Sequence, residues 1–459
     1  MTERFELVEK AILKMLEEKK YKALRDILLV MNPSDLAELL SNTDPEPIPL
    51  LFRLLPKELA AESFVEMDPD TQELLIRSFS DKELKQIVDE LYVDDAADLV
   101  EEMPANVVKR ILKQADPALR QSINHILRYP ENSAGSLMTT EYVSLRPNMT
   151  VGEAIARIRR QGVDKETIYT CYVTQQDRVL IGIVTVKDLL LAGDDEILIQ
   201  DIMLTNIISA STHTDQEEVA RMLSHYNFLA LPVVDGENRM VGIITFDDAM
   251  DVLEAETTED IEIMGGMIPS EKSYLKSSPM ELFKNRIPWL MLLMVSATFT
   301  GLIITAFEGA LAAQVALTAF IPMLMGTGGN SGSQSSVTVI RALSLDEITF
   351  SDTAKVFVKE LLTALLCGLA LAVVCFGKIW LIDRMLFGNT QITLTVDLVV
   401  CLALCVTVVI AKAVGCLLPI AAKAIHVDPA VMASPFITTI VDALSLLVYF
   451  LFAKMILKV

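Results

Sequence analysis

Asp442 lies in the apolar run ASPFITTIVDALSLLVYF, 13 residues after Pro429. At about 1.5 Å per helical residue, that spacing sets it near the middle of a membrane-crossing helix. A carboxylate at such depth is costly and by default marks an ion pathway. The plainer reading is a helix–helix hydrogen bond from a protonated carboxyl. The other acids of this region, Glu308, Glu360, Asp383, Asp397 and Asp428, read as span ends or loops. A second stretch is PMLMGTGGNSGSQ at residues 322–334. Three glycines crowd into 326–329 and another follows at Gly332, which predicts a broken helix. Broken backbone at membrane depth is tolerated where protein or a watery cavity surrounds it. Its free carbonyls can replace the hydration shell of an ion. Asn330 and Gln334 add amide oxygens. The plainer reading is a small-residue packing face, which accounts for the glycines but not for the polar side chains among them.

Together these residues describe an oxygen-only cation site, with a ring of carboxylates if two chains pair. Such donors suit a hard cation, and Mg2+ among them keeps most of its waters. A third feature is the crowd of acids outside the apolar runs: Asp94, Asp95 and Asp98, then Asp215, Glu217 and Glu218, then Asp247, Asp248 and Asp251, then Glu254, Glu256, Glu259 and Asp260. Asp94 and Asp98 share a helix face, as do Asp247 and Asp251, and like charges so spaced repel unless cations neutralise them. The plainer reading is a solvated acidic surface. Fourth, Thr185 with Asp188 and Thr245 with Asp248 end two apolar strands. Such pairs can hold a ribose, although capping of the next helix is the commoner role.

The elements that must position these groups follow from the pattern. The chain has 459 residues and a formal charge of −22, yet 52% of it is hydrophobic. Residues 1–286 carry 52 acidic and 30 basic residues, whereas 287–459 carry nine of each. An acidic soluble part is therefore joined to a neutral apolar part. This excludes a single globular domain, and the acidity disfavours nucleic acid as a partner. Cys171 is the one cysteine before residue 287, and no CxxC occurs, so no zinc or redox signature is present. The start, MTERFELVEK, lacks the apolar core of a signal peptide, which predicts that the first 286 residues stay in the cytosol.

Residues 1–130 read as a stack of short helices whose last apolar residues, Met67, Phe79, Leu91 and Met103, recur every 12 positions. Residues 131–253 contain a duplicated α/β unit. Thr150 matches Thr214, Gly182 matches Gly242 and Asp188 matches Asp248, with Met138 and Met203 opening the two copies. An acidic connecting helix and a polar stretch occupy 254–285. Residues 286–459 hold about five apolar spans, near 287–307, 311–341, 356–380, 394–420 and 430–456, each of bilayer length.

These motifs make the chain resemble the MgtE magnesium channel and transporter family over essentially its whole length. GTGGNSGSQ and DPAVMASPFITTIVD are the most specific parts of the likeness. The resemblance implies a multidomain membrane protein: an N-terminal α-helical domain, a CBS-domain pair, a connecting plug helix and a five-helix transmembrane pore domain. It implies a homodimer in the plasma membrane with a pore on the two-fold axis. Asp442 would select hydrated Mg2+ there, beside Gly329, Asn330 and Thr438. Glu62, Asp94 and Asp98 match sensor acids of the family's N-terminal domain, and Asp215, Glu217, Asp247, Asp248 and Asp251 those of its CBS pair. Glu256, Glu259 and Asp260 match the plug helix, and Asp428 the membrane-side acid. Asn227 stands where family members can carry Asp, and Ser333 where some carry a second Asn. The family's CBS pair can bind ATP, for which Tyr169, Asp188, Asn206 and Phe228 fall in suitable positions.

The expectation is a homodimeric Mg2+ channel, not an enzyme, closed when intracellular Mg2+ bridges the acidic domains. No nucleophile–base pair or phosphate-binding loop argues for catalysis. Rival readings are a Mg2+/cation exchanger and a nucleotide-sensing membrane protein. The second predicts no flux and leaves Asp442 without a role.

Overall fold

The computed structural model describes residues 8–458 except 9, 13, 17, 271, 273 and 389–391. The chain divides into two compact units, Met1–Leu253 and Glu254–Val459.

The first unit begins with short helices, several of them started by a residue that suits a helix entrance. Asp68 caps Pro69–Ser78 by accepting from the Thr71 N–H at 3.1 Å. Ser80 and Glu83 close a capping box on Asp81–Val88. Asp116 and Pro117 open Pro117–Ile126. Proline at the first helical position costs nothing because its missing N–H would be unpaired there. Met67, Phe79, Leu91 and Met103 are all buried in one apolar core. The 12-residue rhythm is therefore the rhythm of core contacts. Helix α1, Val93–Glu102, carries the aspartates of interest.

Two three-stranded sheets follow, with the same order. In the first, β1 (Ser144–Leu145) runs parallel to β2 (Thr170–Thr174), which pairs antiparallel with β3 (Leu180–Thr185). In the second, β4 (Ala210–Ser211), β5 (Ala230–Val234) and β6 (Met240–Thr245) repeat this arrangement. Gly182 and Gly242 pair with Val173 and Val233 at equivalent positions. A Cβ on Gly182 would stand 2.5 Å from the Met203 sulfur, and one on Gly242 would stand 2.7 Å from that of Met138. Each repeat thus receives the methionine that opens the other one. Helix α2, Phe246–Met264, leaves β6 directly and supplies residues to both units. It ends at Gly265-Gly266, where Gly266 takes a left-handed φ of +71° against the Trp289 ring.

The second unit is built on five long helices. They are α3 (Pro279–Ala306), α4 (Ile321–Ser344), α5 (Thr353–Lys378), α6 (Leu394–Ala424) and α7 (Ser434–Leu457). A π-helical segment, Ile379–Leu386, extends α5. Among the described residues, four stretches are long and apolar enough to cross a membrane: Pro279–Ala306, Phe350–Leu386, Leu394–Ala424 and Pro429–Leu457. The expected span at 311–341 differs. A short helix, Glu308–Ala313, and a 3-10 turn, Val315–Phe320, precede α4. Helix α4 has 24 residues, about 36 Å, so it is long enough but too rich in Gly, Ser, Thr, Asn and Gln to count as apolar. Helix α6 is the most enclosed of the five, packed against α4, α5 and α7. Tyr449 is buried in the core of this unit and donates to the Leu317 carbonyl at 3.0 Å.

Candidate functional site

The glycine-rich stretch does not break. Residues 326–334 lie wholly inside α4, so their carbonyls stay in the helical ladder and the expected unwound carbonyl cage is absent. The glycines act instead by lacking side chains. A Cβ on Gly328 would stand 2.8 Å from both Thr407 Cγ2 and Ser445 Oγ. One on Gly329 would stand 3.0 Å from Thr438 Cγ2, and one on Gly332 would stand 2.8 Å from Ile437 Cγ2. Gly415 of α6 packs directly on the Gly332 carbonyl. Glycine in a helix interior costs about 1 kcal/mol relative to alanine. Here that cost is offset by two helices approaching at backbone distance, the packing logic of small residues between membrane helices.

The polar residues of α4 divide between two faces. Ser331, Ser335 and Ser336 are buried among the helices. Ser336 Oγ donates to the Met432 carbonyl at 2.8 Å. Asn330, Gln334 and Thr338 are exposed, with Thr327 half-exposed on the same side. Spacings of three and four residues put these on one stripe. The contacts of Gly332 with Ile437, Gly329 with Thr438 and Gly328 with Val441 make α4 and α7 antiparallel. Asp442 follows Val441 and is half-buried at the level of Gly328 and Gly329. Among the described residues no hydrogen bond or ion pair reaches its carboxylate. The helix–helix hydrogen bond of the plainer reading therefore has no counterpart among the described residues. Of the acids expected at span ends or in loops, Asp397 does lie at a span end, whereas Glu360 lies deeper. Glu360 lies two turns inside α5, and Asp397 is fully buried in the first turn of α6, facing Arg384 at 3.6 Å.

In the first unit, α1 brings Asp94 and Asp95 to Asp247, Asp248 and Glu166. Asp94 is buried, and burial, then Asp95, Asp248 and Glu166, push its carboxyl well above the usual range. Burial and then Asp248 raise Asp95 to about 7. Burial and then Asp95 raise Glu166 to about 8. Burial also raises Asp248, against hydrogen bonds from Thr245. Asp94 Oδ1 and Glu166 Oε2 are buried without a hydrogen-bond partner. Asp98 neighbours Asp95 and Asp248 but is exposed, as is Asp251, which adds to the field on Asp248. The donors are all carboxylate oxygen, the set that hard divalent cations take. Still, among the described residues no three acids converge closely enough to form a finished metal site.

A second acidic group lies in the other unit. Glu256, Glu259 and Asp260 of α2 stand near Asp428. Burial and then Asp428, Glu256 and Glu259 raise Asp260 to about 6. Burial and then Glu256 and Asp428 raise Glu259. Asp428 also caps the turn before α7, accepting from the Ala430 N–H at 2.8 Å.

Other expected site residues have local work. Asp215 caps Gln216–Tyr226 by accepting from the Glu217 N–H at 3.0 Å, and Glu217 pairs with Arg221 at 3.4 Å. Asp188 closes a capping box with Thr185, accepting from its N–H at 3.0 Å. Asn227 is the left-handed cap of Gln216–Tyr226, with φ +54°. A polar residue tolerant of that conformation belongs there. Tyr169 and Asn206 are exposed, and the Phe228 ring stacks on Tyr226 at 5.4 Å. Glu62 is exposed, whereas Glu66, one turn later, adds to the field on Asp95. Glu66, beside Asp68 and Asp70, and Glu166 reach the site through the fold, and no local pattern singles either out. Lys412, by contrast, is a lone cation in an apolar span, and that was a readable signal.

Three family models match the chain. They are MgtE, a divalent cation transporter, over residues 321–452, the MgtE intracellular N domain over 31–132, and the CBS domain over 134–195 and 199–255. The magnesium transporter MgtE of Thermus thermophilus is 36% identical over 447 residues, covering 96% of this chain and 97% of that one. The magnesium transporter MgtE of Bacillus subtilis is 31% identical over 449 residues, covering 97% and 96%. Among solved structures, the cytosolic domain of the Mg2+ channel MgtE in complex with ATP matches with 38% identity and a TM-score of 0.51, over 53% of this chain and 99% of that chain.

Proposed function

The chain belongs to the MgtE family of magnesium transporters, and we propose that it is a homodimeric plasma-membrane channel for Mg2+ that intracellular Mg2+ closes. The observation that carries this reading is the polar stripe of half-exposed Thr327 and exposed Asn330, Gln334 and Thr338 on α4, beside the Asp442 carboxylate, which has no partner among the described residues. A polar stripe and a carboxylate facing hydrocarbon are costly. A second copy related by a two-fold axis would cover both and bring two Asp442 side chains to one axial pathway. The amide and carboxylate oxygens would then meet Mg2+ through its retained waters, since this ion dehydrates reluctantly. Asn330 and Asp442 are the oxygen donors proposed for that site, and the packing of Gly329 on Thr438 sets the helices beside it.

Gating rests on the two acidic groups. Without Mg2+, Asp94, Asp95, Asp98, Glu166, Asp247 and Asp248 repel, as do Glu256, Glu259, Asp260 and Asp428. Mg2+ bridging these carboxylates through water would favour the arrangement in which they lie together. A ligand shifts a conformational balance only by its differential affinity for the two states, and acids that converge without finishing a metal site suit a water-mediated bridge. Glu62, Asp215, Glu217 and Asp251 are weaker members of this proposal, being exposed or already engaged. The relative's cytosolic domain that holds ATP suggests a nucleotide on this CBS pair too, with Tyr169, Asp188, Asn206 and Phe228 as contacts.

The test is Mg2+ uptake into liposomes containing the purified chain, measured against Mg2+ added on the side of the soluble domains. Uptake that falls as that Mg2+ rises is expected. No uptake at all, or uptake indifferent to it, would sink the reading.

A further inference from the structure

Lys412 of α6 is a cation in the interior of an apolar helix, and its side chain is only 7% exposed. Its partner is Glu360 of α5, whose carboxylate lies 3.6 Å from Nζ and is 16% exposed. The same carboxylate accepts a hydrogen bond from Ser335 Oγ of α4. Three helices therefore meet at one charged point. That point coincides with a close backbone approach between α4 and α6. Gly415, three residues after Lys412, packs on the Gly332 carbonyl, and its missing Cβ would stand 3.1 Å from Ser335 Cβ. The Ala411 carbonyl, next to Lys412, would meet a Cβ on Gly332 at 3.1 Å.

Ser335 directly follows Gln334, and Asn330 lies five residues before it. A helix held at Ser335 cannot turn or slide without carrying both amides. The glycine contacts are smooth and would resist such a slide only weakly, while a charged pair inside a membrane domain is directional and costly to separate.

We propose that Glu360 and Lys412, through Ser335, anchor α4 and so set the position of its Asn330 and Gln334 amides, which decides how well the channel rejects divalent cations other than Mg2+. This rests on the transport reading above. Glu360 and Lys412 are positioning residues: they act on the permeating ion through α4 and do not touch it.

The experiment is the ratio of Ca2+ to Mg2+ uptake in liposomes for the full chain and its variants. Ca2+ takes more ligands in a looser shell and sheds water more readily than Mg2+, so it reports a displaced amide ring. A ratio is independent of how much protein folds, because lost protein lowers both fluxes alike. Glu360→Gln and Lys412→Met are expected to raise the ratio by about threefold or more, the scale of coupling between contacting groups. Ser335→Ala, which leaves the ion pair intact, should raise it less. The exchange Glu360→Lys with Lys412→Glu should bring the ratio back towards wild type. Wild-type Mg2+ uptake with unchanged ratios in all three single variants overturns the anchoring role alone. A raised ratio that the charge exchange does not restore overturns it as well. No Mg2+ uptake by the wild-type protein overturns the transport reading, and this inference with it.

Discussion

The Ser336 hydroxyl donates to the Met432 carbonyl at 2.8 Å, across 96 residues of sequence. It fastens the polar helix α4 to the 3-10 turn Pro429–Met432 that leads into α7. Asp428, one residue before that turn, belongs to the acidic group of α2. The polar helix, the last helix and the acids of α2 thus share one short connection, so a change at the acids has a covalent route to Asp442. Ser336→Ala should weaken the coupling between cytosolic-side Mg2+ and flux while leaving uptake at low Mg2+ measurable. An unchanged Mg2+ inhibition curve would argue against the route.

Asp442→Asn removes the charge and keeps the shape. Mg2+ uptake should fall more than about tenfold, the loss that 1.4 kcal/mol of ion interaction accounts for. Retained uptake with wild-type selectivity would remove Asp442 from the pathway.

Gly415→Val places a branched side chain where the Gly332 carbonyl already stands. Overpacking of this kind costs about 1–3 kcal/mol. The expected readout is a lower melting temperature in detergent, without the need to invoke any change at the ion pathway.

Asp94→Asn removes a buried carboxylate that has an unpartnered oxygen and acidic neighbours. In chelator the variant should melt higher than wild type, because burial and repulsion of that charge are relieved. Added Mg2+ should stabilise it less than wild type. Neutralising Asp94, Asp98, Asp248 and Glu259 together should abolish Mg2+ inhibition, and intact inhibition would be fatal to the gating proposal.

The pH dependence has a definite sign. Asp95 stands at about 7 and Glu166 at about 8 in the folded protein, against about 3.9 and 4.3 for unperturbed groups. The folded state therefore holds protons that the unfolded state has lost, and stability falls as pH rises from about 4 to about 8. Thermal melting of the chelated protein should show that decline. Mg2+ should flatten it by stabilising the ionised carboxylates, at the expense of released protons.

Much of this was legible in sequence, and the exceptions have physical causes. The duplication was readable because Gly182 and Gly242, and Asp188 and Asp248, recur in step, and both sheets fold with the same strand order. Asp442 stood out because its neighbours are apolar. The glycine cluster misled, since glycine counts against a helix by local propensity while α4 gains from close contacts with Thr407, Ile437 and Gly415 that lie far away in sequence. That Asp397 ends a span is legible in the sequence, but its partner Arg384 and the Lys412 that faces Glu360 sit on other elements, so neither ion pair is. Glu166 joins Asp94 only through the fold, and no local pattern announces it.

Met138, ahead of the first repeat, is buried in the core with Val219, Leu231, Val233 and Ile244 of the second. Met203, ahead of the second, packs with Cys171, Val173 and Val184 of the first. Neither repeat can be cut out with its own methionine and still fill its own interior. The two are one cooperative unit in folding, and native-state hydrogen exchange should find β2, β3, β5 and β6 opening together.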